Sequence, residues 1–277
     1  MPRRKSSVVG REFGEGVRSA IEKTGMTHRQ LAAAIGWDEA KLSDMVRGKG
    51  GVTETDVMQL LSYCRVAPSE IQYLLALFRE TRESGYLKIP DEDGPPDQVR
   101  MLLNQERLAD KITAWSANLI PGHLQTTDYM RAVIERAARS KTVDYEKVIA
   151  AKTERRKLFH PSRTFVFYIS EHTLHLPVGG PDVMKDQLIH ILGMAQRYYV
   201  TVRVVPTDIG ANAGSAGSFL HLGYEKFEPV IFIESKTACI FLEDKHSLAT
   251  YASVMKLLDA QALDPEQSKE LINGLLA

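Results

Sequence analysis

The segment that most constrains this chain covers residues 27–48, and its pattern is that of two short helices joined by a tight turn. Thr27 is a favourable N-cap for the first helix, because its hydroxyl can accept a hydrogen bond from a free backbone N–H. Gly36 has the backbone freedom that the turn needs, and Asp38 can cap the second helix. Two capped helices around a short glycine turn predict a helix-turn-helix motif.

The second predicted helix has a buried face and an exposed face. Leu42, Met45 and Val46 have the i, i+3, i+4 spacing of a buried stripe. The opposite face and its edges carry short, polar or charged side chains: Glu39, Ala40, Lys41, Ser43, Asp44 and Arg47. Such a helix suits the DNA major groove, which admits an α-helix and displays hydrogen-bonding base edges. The alternative is ordinary core packing of two amphipathic helices, and the pattern alone leaves both readings open.

Further helices are predicted on both sides of the motif. Residues 11–23 have apolar positions on one side and end at Gly25, which is typical of a helix terminus. Thr53 or Thr55 can cap a fourth helix, and Pro68 can open a fifth. The N-terminal part of the chain is therefore predicted to be an all-α helix-turn-helix domain of about five helices.

Roughly residues 10–80 resemble the XRE (Cro/C1 repressor-like) helix-turn-helix family. The matching positions are Thr27, Leu31-Ala32, Gly36, Asp38, Leu42-Ser43 and Arg47-Gly48. The resemblance implies that the second helix reads bases and that the start of the preceding helix contacts phosphate. The DNA-binding residues that it implies are Thr27, His28, Gln30, Glu39, Ala40, Lys41, Ser43, Asp44, Arg47 and Lys49.

Two acidic residues depart from the pattern of that family. Glu39 stands where glutamine is common, and Asp44 stands where arginine is frequent. Both acids repel phosphate, although a glutamate can specify cytosine by accepting a hydrogen bond from its N4 amino group. The two acids leave open a second reading, in which the module binds protein instead of DNA.

The charge balance predicts modest DNA affinity per protomer. Lys and Arg number 35, as do Asp and Glu, so the chain lacks the strongly basic footprint of avid DNA binders. Arg3, Arg4 and Lys5 form a basic triplet ahead of the first helix, where an arm can reach phosphates or a minor groove. The alternative is an ordinary basic tail.

Composition and motifs argue against several other classes of protein. No apolar run approaches the ~20 residues of a membrane span, and nothing resembles a signal peptide. We therefore expect a cytoplasmic, nucleoid-associated protein without a membrane partner. Cys64 and Cys239 stand in apolar contexts that favour buried free thiols. His172, His175 and His246 lack the spacing of a metal or catalytic site, and Pro177 argues against a helix that would place His172 and His175 on one face. We therefore expect no enzyme, no metal and no cofactor.

The second half of the chain predicts a larger α+β domain. A helix is predicted over residues 99–115, and a strand, a helix and a strand follow over residues 164–169, 181–198 and 200–205. Antiparallel hairpins are predicted after this unit. The predicted organisation is a basic tail at residues 1–9, the helix-turn-helix domain at 10–84, a linker at 85–98 and a regulatory domain at 99–277.

This half resembles the antitoxin-like C-terminal domain of actinobacterial regulators of the WhiJ-like group. The matching patches cover residues 120–132, 154–159 and 170–188 and the strand that begins at Gly217. His123 departs from the pattern, in which leucine is usual. The resemblance implies a regulator of development or secondary metabolism and a small partner protein.

The candidate partner-binding residues lie in a predicted turn and in a glycine-rich loop over residues 210–217. They are Pro121, Gly122, Gln125, Gly214 and Gly217. The loop lacks the G-K-[ST] ending of a phosphate cradle, and a strand follows it instead of a helix. The favoured interpretation of residues 210–217 is a flexible surface loop. The second interpretation is a lid or a partner-binding loop.

Together these features predict a sequence-specific, double-stranded-DNA-binding transcriptional regulator. Two recognition helices that meet half-sites about one helical turn apart imply a homodimer. The C-terminal domain would sense a small partner protein or ligand. The alternative is an antitoxin-like protein-interaction factor, whose main role is to bind a small partner protein and for which DNA binding is secondary.

Overall fold

A computed structural model describes residues 7–48, 52–81, 86–88, 96–137, 145–235 and 238–276. The chain divides into two compact units. The first comprises Met1–Leu87 with Lys226–Glu228 and Phe241–Asp244, and the second comprises Lys88–Glu225, Pro229–Ile240 and Lys245–Ala277. No described helix is both long enough and apolar enough to cross a membrane.

The first unit contains the predicted helices. They are α1 (Val8–Glu22), α2 (His28–Ile35), α3 (Glu39–Val46), α4 (Glu54–Tyr63) and α5 (Pro68–Glu80). The predicted caps are confirmed at Thr27 and Asp38, and Thr53, not Thr55, caps α4. Helix α1 begins three residues before the predicted Arg11, because the Ser7 side chain accepts a hydrogen bond from the backbone and caps it there.

The core of this unit is formed by apolar side chains from all five helices. Phe13, Leu31, Leu42, Leu60 and Leu74 are each at most 1% exposed. The stripe predicted on α3 is buried, so the opposite side of the same helix is left to solvent.

Helix α1 approaches the end of α3 at backbone contact distance. A Cβ on Gly14 would overlap the carbonyl oxygen of Val46, and a Cβ on Gly48 would overlap that of Gly10. Gly48 also has φ +61°, a conformation that side chains disfavour. Position 48 therefore requires glycine for two reasons: its backbone conformation disfavours a side chain, and the neighbouring backbone leaves no space for one.

Substituting alanine at two left-handed glycines should separate these two requirements. Gly36 has φ +72°, and a Cβ at this position would meet nothing within 4 Å, so Gly36→Ala should cost only the backbone strain of about 1–2 kcal/mol. Gly48→Ala should cost that strain plus an overlap of about 1–3 kcal/mol. Hydrogen exchange of amides in α1 and α3 of the full chain measures both values. Equal losses in the two variants would contradict the packing argument.

The second half of the chain is built around a mixed β-sheet. Among the described residues its strands are β1 (Tyr86–Lys88), β2 (Lys111–Ser116), β3 (Thr164–Ser170), β4 (Val200–Val205), β5 (Phe219–Gly223), β6 (Val230–Glu234) and β7 (Cys239–Leu242). The order of these strands is β1-β7-β6-β5-β2-β3-β4. Strands β2, β3 and β4 are parallel, whereas β5 is antiparallel to β2 and β6 is antiparallel to β5.

Helices and a 3-10 helix accompany the sheet. They are α6 (Pro96–Leu108), α7 (Thr127–Ala137), α8 (Tyr145–Thr153), the 3-10 helix (Glu154–Leu158), α9 (Glu171–His175), α10 (Pro181–Ala195), α11 (Lys245–Gln261) and α12 (Pro265–Gly274). The predicted parallel strand-helix-strand unit is confirmed as β3, α10 and β4. The predicted α+β class is confirmed as well.

Two sequence-based predictions of secondary structure were wrong. The helix expected over residues 99–115 ends at Leu108, and Lys111–Ser116 forms the strand between β3 and β5. Its β-branched and aromatic side chains suit a strand with neighbours on both sides. A helix was rejected around His172 and His175, yet α9 forms there, because Pro177 lies beyond the end of α9.

The predicted linker falls partly on residues 85 and 89–95, which lie outside the described residues. Within the rest of the predicted linker, residues 86–88 form β1, and α6 begins at Pro96. The division into domains at residues 84 and 99 stays a prediction.

Candidate functional site

Local hydrogen bonds fix the start of α2 and the turn between α2 and α3. The Thr27 hydroxyl accepts a hydrogen bond from the Gln30 N–H at 3.3 Å, and the Gln30 side chain accepts one from the Thr27 N–H at 2.9 Å. Gly36 ends α2 with φ 72°, and the Trp37 N–H donates to the Ala32 carbonyl at 2.9 Å. This Schellman-type ending sets the direction in which α3 leaves the turn.

The outward face of α3 is open to solvent. Asp38 begins the helix by accepting a hydrogen bond from the Lys41 N–H at 2.6 Å. Glu39, Ala40 and Arg47 are exposed, and Ser43 and Asp44 are half-buried. At the start of α2, Thr27, His28 and Gln30 are exposed as well. Contact of these residues with DNA stays a prediction.

Lys41 is tied to the neighbouring helix. Its ammonium lies 2.7 Å from an Asp56 carboxylate oxygen and 4.3 Å from the centre of the Trp37 ring. The hydrogen bonds from Lys41 and from the Thr53 N–H hold the pKa of Asp56 below its usual value. This pairing neutralises much of the charge on which the prediction for Lys41 depended.

Arg29 is a candidate that the sequence-based selection missed. Its side chain is 90% exposed, and its Nε lies 3.8 Å from a carboxylate oxygen of Glu39. It therefore stands at the N-terminal end of α3, next to the predicted His28. The polar first turn of α2 was the available signal. Lys49 and the predicted arm Arg3, Arg4 and Lys5 lie outside the described residues.

A carboxylate from far along the chain caps the first helix of this unit. The Val8 N–H donates to the two Glu243 oxygens at 2.9 and 3.0 Å, and the Arg11 guanidinium lies 3.5 Å away. Burial raises the pKa of Glu243, while the Val8 N–H and Arg11 oppose that rise. The segment around Glu243 therefore belongs structurally with the helices of the first unit.

The second unit contains a cavity of about 320 Å³. Its walls come from β2, the loop after β2, strands β5 and β6, helices α6, α7 and α8, and the 3-10 helix. The predicted Pro121, Gly122 and Gln125 line it directly. Gly214 lies behind the lining Trp115, whose Nε1–H donates to the Gly214 carbonyl at 2.9 Å, and Gly217 directly precedes the lining Ser218.

A buried ion pair supports one wall of this cavity. Arg155 lines the cavity, and its Nε donates to Glu106 at 2.9 Å while its Nη2 donates to the other carboxylate oxygen. His123 Nε2 lies 3.1 Å from Glu106, whose side chain is fully buried. Burial alone would raise the pKa of Glu106, but Arg155 and His123 outweigh it and hold the pKa at about 2.

Two family models match the chain. The model described as Domain of unknown function (DUF5753) matches residues 99–274, which is more than half of the chain. The chain belongs to the DUF5753 family. The second model, described as Helix-turn-helix domain, matches residues 12–74 and thus covers the turn and α3. No curated protein matches the sequence.

The helix-turn-helix match supports a DNA-binding regulator of the XRE-like type. The DUF5753 match contains every residue that lines the cavity, but its description assigns no activity. In the part of the chain that the structure describes, no group of three or more His, Cys, Asp or Glu residues could hold a metal ion. The burial predicted for Cys64 and Cys239 is confirmed.

The buried His123 should make the stability of the DUF5753 domain depend on pH. Burial and the nearby Arg155 lower the pKa of His123, against the opposing effect of Glu106. The neutral His123 therefore contributes fully to the stability of the folded domain above about pH 6.5, the usual pKa of histidine in an unfolded chain. As the pH falls from there toward the lower pKa of the folded state, this stability is lost by at most about 1.4 kcal/mol per pH unit. His123→Leu should be less stable at pH 7.5 but should lose less stability than the wild type on acidification.

Urea unfolding at pH 7.5 and pH 5.5 measures this difference. In a Trp37→Phe background Trp115 is the only tryptophan, so its fluorescence reports on the DUF5753 domain. An identical loss of stability in the wild type and in His123→Leu would show that His123 does not titrate as described.

Proposed function

We propose that this protein is a sequence-specific transcriptional regulator that places α3 in the DNA major groove. The observation that supports this most strongly is the structure of α3 itself. Leu42, Met45 and Val46 anchor one side in the core, while the other side presents exposed Ala40 and Arg47. A rigidly seated helix with a small, polar outer face is what direct readout of bases requires.

The start of α2 is proposed to contact the DNA backbone. His28, Gln30 and Arg29 are exposed in its first turn, and a helix N-terminus attracts phosphate. Among the described residues, Arg29 and Arg47 are exposed cations that flank the proposed reading face. Phosphate contacts of this kind position a protein on DNA, whereas base contacts select the sequence.

Glu39 has two roles in this proposal. It lies in the first turn of α3, where negative charge interacts favourably with the helix dipole. Its exposed carboxylate can also accept a hydrogen bond from cytosine. The ion pair with Arg29 at 3.8 Å keeps a compensating positive charge beside it.

The finer features of the proposal come from the resemblance. We propose a WhiJ-like regulator of actinobacterial type that acts in development or secondary metabolism and is nucleoid-associated in the cytoplasm. A homodimer would place two α3 helices in half-sites about one helical turn apart. The DUF5753 domain would sense a small partner protein or ligand.

Alanine substitutions should separate a reading residue from a packing residue. Arg47→Ala should weaken binding to the specific site about 10- to 100-fold, because it removes a cation from the reading face. Lys41→Ala should have a smaller effect, since Lys41 is held by Asp56. Arg79→Ala is the matched control, because Arg79 is an exposed cation paired with Glu54 on α4.

The sites for this assay come from chromatin immunoprecipitation of the tagged protein. Mobility-shift titrations on the enriched fragments then use a salt series and competitor DNA, because affinity without the salt concentration cannot be compared. A short palindromic site that is lost with Arg47→Ala and retained with Arg79→Ala supports the proposal. Equal binding by all three variants would refute α3 as the recognition helix.

The second candidate function is that of an antitoxin-like factor that mainly binds a small partner protein. Two observations favour it: Glu39 presents an exposed acid on the outer face, and the charge of Lys41 is largely neutralised by Asp56. Only weak, sequence-blind binding in the same titrations would favour this function.

A further inference from the structure

We infer that the cavity of the DUF5753 domain binds a small organic carboxylate with a flat apolar body. The carboxylate would lie between Lys152 and Arg155, and the body would lie against Trp115. This inference rests on the proposed sensing role of the domain and names the chemistry of its ligand.

The dimensions and walls of the cavity fit a small molecule. Its volume of about 320 Å³ lies at the lower end of the usual range for ligand pockets, about 300–1,000 Å³. Ile120, Phe219 and Phe232 line it together with Trp115, and each contributes only a small exposed area, at most 4% of its surface. This apolar part of the wall favours a ligand with a flat apolar body.

Arg155 provides a donor that is oriented before any ligand arrives. Glu106 accepts the hydrogen bonds of its Nε and Nη2, which leaves Nη1. Among the residues that the structure describes, Nη1 has no hydrogen-bond acceptor. It lies 2.6 Å from the position of a Cβ on Gly122, which also lines the cavity. A guanidinium held in this way loses little freedom when it binds a carboxylate.

Lys152 provides a second positive charge at the cavity, whereas the charge of Arg155 is paired with Glu106. In the described part of the chain no carboxylate lies within ion-pair distance of its ammonium. Burial and Arg155 lower the pKa of Lys152, against the opposing effect of Glu234. Glu234 also lines the cavity but is exposed to solvent. An anionic ligand would relieve the repulsion between Lys152 and Arg155.

Two other polar side chains of the lining are engaged within the domain. Gln125 Nε2 donates to the Ile120 carbonyl at 2.8 Å, and the Ser218 hydroxyl accepts from the Ala117 N–H at 2.9 Å. Lys152 and Arg155 are the cations among these lining residues, so they supply the charged donors with which an anionic ligand can pair. Trp115 is also held in place, because a Cβ on Gly214 would overlap its ring.

The test uses phenylacetate and indole-3-acetate with the purified full-length protein, and phenylacetamide and indole-3-acetamide as uncharged counterparts. Ligand-observed NMR and calorimetric titration measure binding at constant salt. At least one carboxylate should bind at least tenfold more tightly than its amide. Lys152→Met should weaken carboxylate binding at least tenfold. Lys256→Met is the matched control, since Lys256 is exposed on α11, and it should bind as the wild type does.

Three results would overturn the inference: no binding by any probe, equal binding of acid and amide, or equal loss in Lys152→Met and Lys256→Met. Saturation by a peptide rich in Asp and Glu, with none by the free carboxylates, would also overturn it in favour of a protein partner.

Because this assay contains no DNA, carboxylate binding can be established even if the mobility-shift titrations refute the proposed regulator. If the carboxylate binds but leaves operator affinity unchanged, the proposed sensing role is refuted and the carboxylate site is still supported.

Discussion

The buried ion pair between Glu106 and Arg155 is the interaction on which the DUF5753 domain and its cavity depend. It connects α6 to the 3-10 helix, and the Glu106 side chain is fully buried. Removing one partner would leave an uncompensated charge inside the domain, which typically costs about 3–5 kcal/mol. His123 adds a further hydrogen bond to the same carboxylate, which gives a physical role to the residue that departs from the family pattern. The same pair orients the guanidinium that faces the cavity.

The helix-turn-helix unit depends on a different constraint, the backbone contact between α1 and the end of α3. Glycine at positions 14 and 48 lets the two helices approach until their backbones touch. The outward direction of Arg47 follows, because Arg47 lies between the buried Val46 and the constrained Gly48. Lys41 stabilises the other side of the helix through Asp56. The direction of the outward face of α3 is thus set by packing beneath it, not by contacts on its surface.

Much of the local structure could be predicted because it depends on neighbours in sequence. The caps at Thr27 and Asp38 join groups three residues apart, and the α3 stripe follows from the helical period. Strand β2 was missed because a short apolar run fits a helix or a strand equally well until its neighbours are known. The pairing of Lys41 with Asp56 and the position of Arg29 beside Glu39 could not be predicted, since exposure and pairing depend on which helix lies opposite.

The sequence by itself determined the helix-turn-helix motif and the parallel strand-helix-strand unit. Hydrogen bonds and periodicities that span a few residues encode these features. Only the tertiary structure decided that Glu243 caps α1 from 235 residues away, that Asp56 neutralises Lys41 and that Lys152 and Arg155 meet at one cavity. The physical reason is that charge and hydrogen-bond partners between distant residues are chosen by packing of the whole chain, which no local pattern contains.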